Sequence, residues 1–303
     1  MELEYILYVF FFTAIVLNVI GNSLVIYIIC KKPKTSTDHL LLNLAVADLM
    51  LGVFQAIQLF SLLSIRLVSN PKPFVIENDI FCRLFTSGNF NWLAYVASTI
   101  TMLILSSERY FAVCHPHSFK KLFSTRNVKF IIMLSWFLAV VTIIPRNTGK
   151  TCFSVDANLS KTLSVIAAIF SMVTLLLISI LSAKIYVSLW CKHTVIQPTA
   201  VREIQERKMK KRVTLCVLAV VATYIFCNIP LSTWYILFGF QKIQQGAEKL
   251  SGQIVILLAV VNSALDPYLF SFQNRRMREL LKKIFRCKNE DQAQEQTIEQ
   301  RLA

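Results

Sequence analysis

At 303 residues the chain could build one large domain or two ordinary ones, yet 55% of it is hydrophobic and only 16% is charged, against about 25% charged in a typical soluble protein. That balance excludes a secreted disulfide scaffold, a disordered tail protein and, despite a net charge of +15, a nucleic-acid binder. The charges cluster, leaving seven stretches that hold none or a single Asp: residues 5–30, 40–65, 84–107, 130–145, 162–183, 213–241 and 250–274. About 20 apolar residues rising 1.5 Å each cross a hydrocarbon core of about 30 Å. Each stretch therefore predicts a membrane-spanning helix, and only the fourth needs its basic flank around Arg126 and Lys129 to start the helix early. The expected fold is an all-α membrane protein, a seven-transmembrane-helix bundle over residues 5–274.

Basic residues of short loops stay in the cytoplasm. With the N-terminus outside, 24 of the 32 Lys and Arg fall on the cytoplasmic side and eight outside, so the +15 reads as a topology signal that also suits an anionic inner leaflet. Residues 1–4 form a short extracellular N-terminus. Glu2 and Glu4 stand where a signal peptide would be basic, which predicts an uncleaved first helix. Asn158-Leu159-Ser160 is the one sequon placed outside and marks Asn158 for glycosylation. Beyond the seventh span, residues 275–288 alternate apolar and basic positions at helical spacing, an amphipathic eighth helix partnered by membrane lipids. Cys287 closes it as a candidate for palmitoylation. Residues 289–303 are polar and predict a disordered cytoplasmic tail.

Within the spans lie short motifs in a fixed order. The first has Gly21-Asn22, the second Leu42-Asn43-Leu44-Ala45-Val46-Ala47-Asp48-Leu49, and the third ends in Glu108-Arg109-Tyr110. The fourth carries Trp136, the sixth Phe226-Cys227-Asn228-Ile229-Pro230, and the seventh Asn262-Ser263-Ala264-Leu265-Asp266-Pro267-Tyr268-Leu269-Phe270. Together these resemble the rhodopsin-like G-protein-coupled receptors over nearly the whole chain. The resemblance implies a plasma-membrane receptor that passes the binding of an extracellular small molecule or short peptide to a heterotrimeric G protein, with arrestin as a further partner.

Arg109 at a helix end could simply be a snorkelling topology residue. Its neighbour Glu108 makes a second reading available, an acid that holds the Arg in one state and releases it in another. Asp48 is a carboxylate near mid-membrane, an expensive and usually functional placement. By resemblance Asp48, Ser98, Asn262, Ser263 and Asp266 line a sodium and water pocket. Two ionised carboxylates in one apolar site repel, so a cation sits between them or one carries a proton. The bland alternative has Asp48 bonding Asn22 as helix glue. Cys82 and Cys152 match the family's disulfide pair, on the oxidising side of the membrane.

The chain also departs from the family. Cys82 to Arg109 spans 27 positions, two more than usual, which predicts a bulged or extended top of the third helix. The position where amine receptors carry an Asp is Asn89 or Asn91, so an amine salt bridge from this helix is not expected. No Lys occurs in residues 250–274, so retinal is not expected as a cofactor. Asn228 replaces the sixth-helix Trp, Phe270 replaces the last Tyr of the seventh-helix motif, and Ile178 or a neighbour replaces the fifth-helix Pro. Tyr186 and Tyr224 stand at switch positions, while Pro230 and Pro267 kink their helices. Asn89, Asn91, Trp92, Tyr95, Trp234 and Tyr235 are the candidate ligand-pocket residues, with interfacial anchoring as the other reading of the aromatics. The rival function is a proton- or ion-coupled transporter using Asp48 and Asp266, although the spans show no inverted repeat. His39, His115, His117 and His193 all fall in or beside cytoplasmic loops, so no metal site or enzyme centre is expected in the membrane core.

Overall fold

The computed structural model describes residues 2–31, 35–67, 79–147, 157–191, 201–240 and 247–273. These form seven long helices: α1 (Glu2–Cys30), α2 (Ser36–Leu67), α3 (Asn89–Cys114), α4 (Thr125–Ile143), α5 (Ala157–Cys191), α6 (Val201–Gly239) and α7 (Ala247–Gln273). Each contains a stretch long and apolar enough to cross a membrane, and no strand occurs among the described residues. The expected eighth helix, the polar tail, Cys152 and Cys287 lie outside the described residues.

The helices close into a ring. α1 packs between α2 and α7, α2 against α3, α3 against α4 and α5, α5 against α6, and α6 against α7. α3 also reaches α6 and so runs through the middle of the bundle. Toward the Arg109 end, Leu40 and Leu44 of α2, Met102 and Leu105 of α3, Ile178 of α5 and Val220, Val221 and Tyr224 of α6 form one buried cluster. Large apolar side chains such as Phe10, Phe130, Phe137 and Phe226 point outward, as a lipid-facing surface requires.

Lipid tails are as apolar as Leu, so burial alone does not hold such helices together; close packing and interhelical hydrogen bonds do. Asn43 of α2 donates to Thr101 of α3 and accepts from Trp136 of α4, both at 2.8 Å. Asn22 of α1 donates to the Ser263 carbonyl of α7 at 3.1 Å. The Ser171 hydroxyl of α5 hydrogen-bonds the Ser232 hydroxyl of α6, and Trp234 of α6 donates to Ser251 of α7 at 3.0 Å. Each such bond is worth about 0.6–2 kcal/mol. Where α1 crosses α7, a Cβ on Gly21 would sit 2.9 Å from Pro267 Cβ, so the absent side chain is what lets these helices approach.

Two local devices set helix starts. The Ser124 hydroxyl accepts from the Asn127 amide at 3.4 Å, an N-cap that begins α4 inside the basic flank. At the top of α3, the helical turn Asp79–Phe81 runs into a π-helical segment, Cys82–Thr86, and Gly88 then takes the left-handed conformation with φ 78°. The wide π turn and the break at Gly88 absorb the two extra residues between Cys82 and Arg109.

Candidate functional site

At the Gly88 end, a cavity of about 130 Å³ lies between α2, α3, α6 and α7 and opens outward. Gln55, Gln58 and Asn91 line one wall, Trp92, Tyr95 and Tyr235 another, and Leu231, Ile256 and Val260 supply apolar surface. Arg146, in the short 3-10 turn Ile144–Asn147 after α4, also reaches the cavity. Its guanidinium lies 5.3 Å from the centre of the Trp92 ring, a cation–π contact. Tyr235 stands edge-on to Trp92 at 5.9 Å between centroids. An apolar cleft with a few fixed polar groups is the usual form of a small-ligand site.

Tyr95 connects the cavity to the bundle interior. Its hydroxyl donates to Asn228 Oδ1 at 2.9 Å, and Asn228 Nδ2 donates to the Tyr224 carbonyl one turn back at 2.8 Å. Asn228 lies two residues before Pro230, the proline inside α6. Further along, Ser98 donates to Asp48 Oδ1 at 2.8 Å. Asp48 Oδ2, both Asp266 oxygens and Asn262 Oδ1 are buried with no hydrogen-bond donor among the described residues. Buried oxygens left unmet are costly. This oxygen-only set fits a sodium ion or a shared proton, and no cluster of His, Cys, Asp and Glu suited to a transition metal occurs among the described residues.

At the opposite end, Glu108 is fully buried and paired with the Arg109 guanidinium. Thr37, in the first turn of α2, completes the cluster: its hydroxyl donates to Glu108 Oε1 at 2.8 Å and accepts from Arg109 Nη2. Charge-assisted bonds of this kind are about twice as strong as neutral ones. Tyr110 turns aside, its hydroxyl 3.1 Å from His115 Nε2.

The profile of the family described as "7 transmembrane receptor (rhodopsin family)" matches residues 21–270. The chain belongs to this family. The receptor is 25% identical to the Allatostatin-A receptor of Bombyx mori over 291 residues, covering 90% of this chain and 77% of that protein. It is 24% identical to the Tachykinin-like peptides receptor 86C of Drosophila melanogaster over 298 residues, covering 88% of this chain and 56% of that protein. As a member it is a G-protein-coupled receptor for an extracellular ligand and not an enzyme, and the transporter alternative finds no support in these relatives.

The sequence-derived residues of the receptor divide accordingly. Asn91, Trp92, Tyr95 and Tyr235 line the cavity, whereas Asn89 and Trp234 do not. Asn89 begins α3, so its amide turns back to the Arg83 carbonyl at 2.7 Å and accepts from Arg146 Nε at 3.0 Å. Trp234 is taken up by Ser251. Tyr224 is buried, but Tyr186 is 55% exposed. Ile178 and Ile185, seven residues apart on α5, both face inward, and the residue after Ile185 is carried off that face by 3.6-residue periodicity. Asn22 bonds Ser263 and not Asp48, so the simple helix-glue reading of that pair does not describe the contacts. Cys82 is buried, its expected partner Cys152 lies outside the described residues, and Asn158 is exposed in the first turn of α5. Pro267 is buried against Gly21, and the side chain of Phe270 lies outside the described residues. Sequence reading missed Thr37, Gln55, Gln58 and Arg146; the one available signal was polarity inside or beside an apolar span.

Proposed function

We propose that the receptor sits in the plasma membrane with the start of α1 outside and its tail inside, takes a short peptide or small molecule into the cavity, and activates a heterotrimeric G protein through Arg109, with arrestin as a later partner. The similarity to the Tachykinin-like peptides receptor 86C favours the peptide. The observation that carries the mechanism is the Tyr95–Asn228 hydrogen bond. It ties a cavity-wall side chain to α6 beside Pro230, where a missing backbone bond makes the helix bendable. A ligand that displaces Tyr95 thereby biases the bend of α6. At the far end, Glu108 and Thr37 hold Arg109 in the resting state, and the outward swing of α6 opens the space into which Arg109 is released.

In this reading a sodium ion, when bound, would be held by Asp48, Asp266, Ser98 and Asn262 and would neutralise the paired carboxylates. Asp48 and Asp266 hold the resting packing of α2, α3 and α7 by sharing positive charge. Cys82 and Cys152 bond across the outer loop, Asn158 carries a glycan and Cys287 a palmitate. The test is ligand-free nucleotide exchange on a panel of heterotrimeric G proteins, with parent and Arg109→Ala receptor compared at equal surface expression. The parent catalyses exchange and Arg109→Ala loses it; full exchange by the variant would remove Arg109 from the mechanism.

A further inference from the structure

Two of the residues that line the cavity carry polar groups left unmet among the described residues. Arg146 is the one Asp, Glu, Lys or Arg among its lining residues. Its Nε is used by Asn89 at 3.0 Å and its face by Trp92, but the two terminal NH2 groups have no acceptor among the described residues. The second group is Asn91 Oδ1, which is buried with no donor among the described residues. The Asn91 orientation follows from a chain of bonds anchored on the backbone. Gln58 Nε2 donates to the Thr86 carbonyl at 3.2 Å, so Gln58 Oε1 is an acceptor. Asn91 Nδ2 donates to it at 2.5 Å and to Gln55 Oε1 at 3.0 Å, leaving the Asn91 oxygen facing no donor. A guanidinium edge presents paired donors that match a carboxylate, and an orphaned amide oxygen calls for an N–H. Apart from Gln55, Gln58, Ser87 and Gly88, the rest of the wall is aromatic and aliphatic.

We propose that the cavity recognises an N-acylated amino acid with a free carboxylate and an apolar or aromatic side chain, either as a small molecule or as the C-terminus of a short peptide. Arg146 takes the carboxylate, Asn91 Oδ1 accepts the adjacent N–H, and Trp92, Tyr95 and Tyr235 enclose the side chain. This rests on the cavity being the receptor's ligand site, and it deepens that reading by naming the ligand's charge and its N–H.

The test measures binding by saturation-transfer NMR on the full chain in nanodiscs, without G protein. The probes are N-acetyl-phenylalanine, its carboxamide, and tripeptides ending in phenylalanine as acid or amide. A fifth probe, O-acetyl-phenyllactate, keeps the carboxylate and replaces the N–H by an ester oxygen. The acids bind the parent roughly tenfold more tightly than the amides, the strength expected of a charge-assisted pair. Arg146→Gln brings the acids down to the amide level without weakening the amides, Arg146→Lys retains part of the preference, and the ester analogue binds several-fold more weakly than the acid. Comparing N-acetyl-phenylalanine with the tripeptides identifies the source of the carboxylate. Equal binding of acid and amide to the parent, no acid binding, or an acid preference that survives Arg146→Gln overturns the proposal. If Arg146→Gln does not fold, the acid-to-amide ratio on the parent and on Arg146→Lys decides. Because no G protein is present, acid preference without nucleotide exchange would sink the coupling mechanism and leave this inference standing. Exchange driven equally by acid and amide would do the reverse.

Discussion

Thr37 shows how much one hydroxyl can hold. It donates to Glu108 and accepts from Arg109, so Thr37→Val removes two bonds to charged partners and keeps the side chain's shape. Bonds to charged groups contribute about 1.5–3 kcal/mol each, and even a net loss near the bottom of that range shifts a two-state equilibrium about tenfold. Basal nucleotide exchange by Thr37→Val should rise several-fold at unchanged surface expression; unchanged basal exchange would make Thr37 a bystander. The carboxylates make a second residue-scale prediction. Sodium lowers basal exchange at constant ionic strength, with potassium as replacement to separate binding from screening. Asp48→Asn blunts that response, whereas Asp266→Asn leaves the receptor folded. A flat sodium series in the parent would leave the pair as a shared-proton site.

At the scale of elements, the top of α3 is the most demanding piece of backbone. Gly88 has φ 78°, and a Cβ there would lie 2.7 Å from Gln58 Nε2. Left-handed backbone costs a non-glycine residue about 1–2 kcal/mol, so Gly88→Ala should lower thermal stability and disturb the Gln58–Asn91 pairing, read as a lower melting temperature and weakened probe binding. A melting temperature equal to the parent's would show that the turn relaxes freely. The spans themselves follow from the sequence, because apolar runs of this length with at most a single Asp have no other home, and the early start of α4 follows from needing enough residues to cross. The cavity does not follow in the same way. Gln55, Gln58 and Arg146 converge because α2, α3 and the turn after α4 are rotated about their axes by packing, and a one-dimensional pattern carries no rotation relative to neighbours. Tyr186 illustrates the same limit: the resemblance offers it as a switch residue, and which way it faces depends on the phase of α5, which turns it outward.

For the molecule as a whole, the distribution of Lys and Arg makes a definite statement about sidedness. A tag at residue 1 should be labelled on intact cells and a tag after residue 303 only after permeabilisation; the opposite pattern would invert the proposed direction of signalling. The polar groups are also segregated along the bundle axis. The cavity lies at one end, the Asp48 and Asp266 site in the middle and the Glu108, Arg109 and Thr37 cluster at the other. The central carboxylates and α6 both lie between the two ends.

The length of α6 turns this arrangement into a machine with a measurable ratio. The helix has 39 residues, about 58 Å at 1.5 Å per residue, nearly twice a hydrocarbon core of about 30 Å. Pro230 divides it unequally: 29 residues separate it from Val201 and nine from Gly239, arms of about 43 and 13 Å. With Pro230 as fulcrum, α6 is a lever of roughly three to one, so about 2 Å of travel at the cavity end becomes roughly 7 Å at the far tip. The Tyr95–Asn228 bond grips it almost at the fulcrum, where the stroke is shortest and the force required is greatest. A ligand therefore needs to move very little, but it must push against a rigid wall.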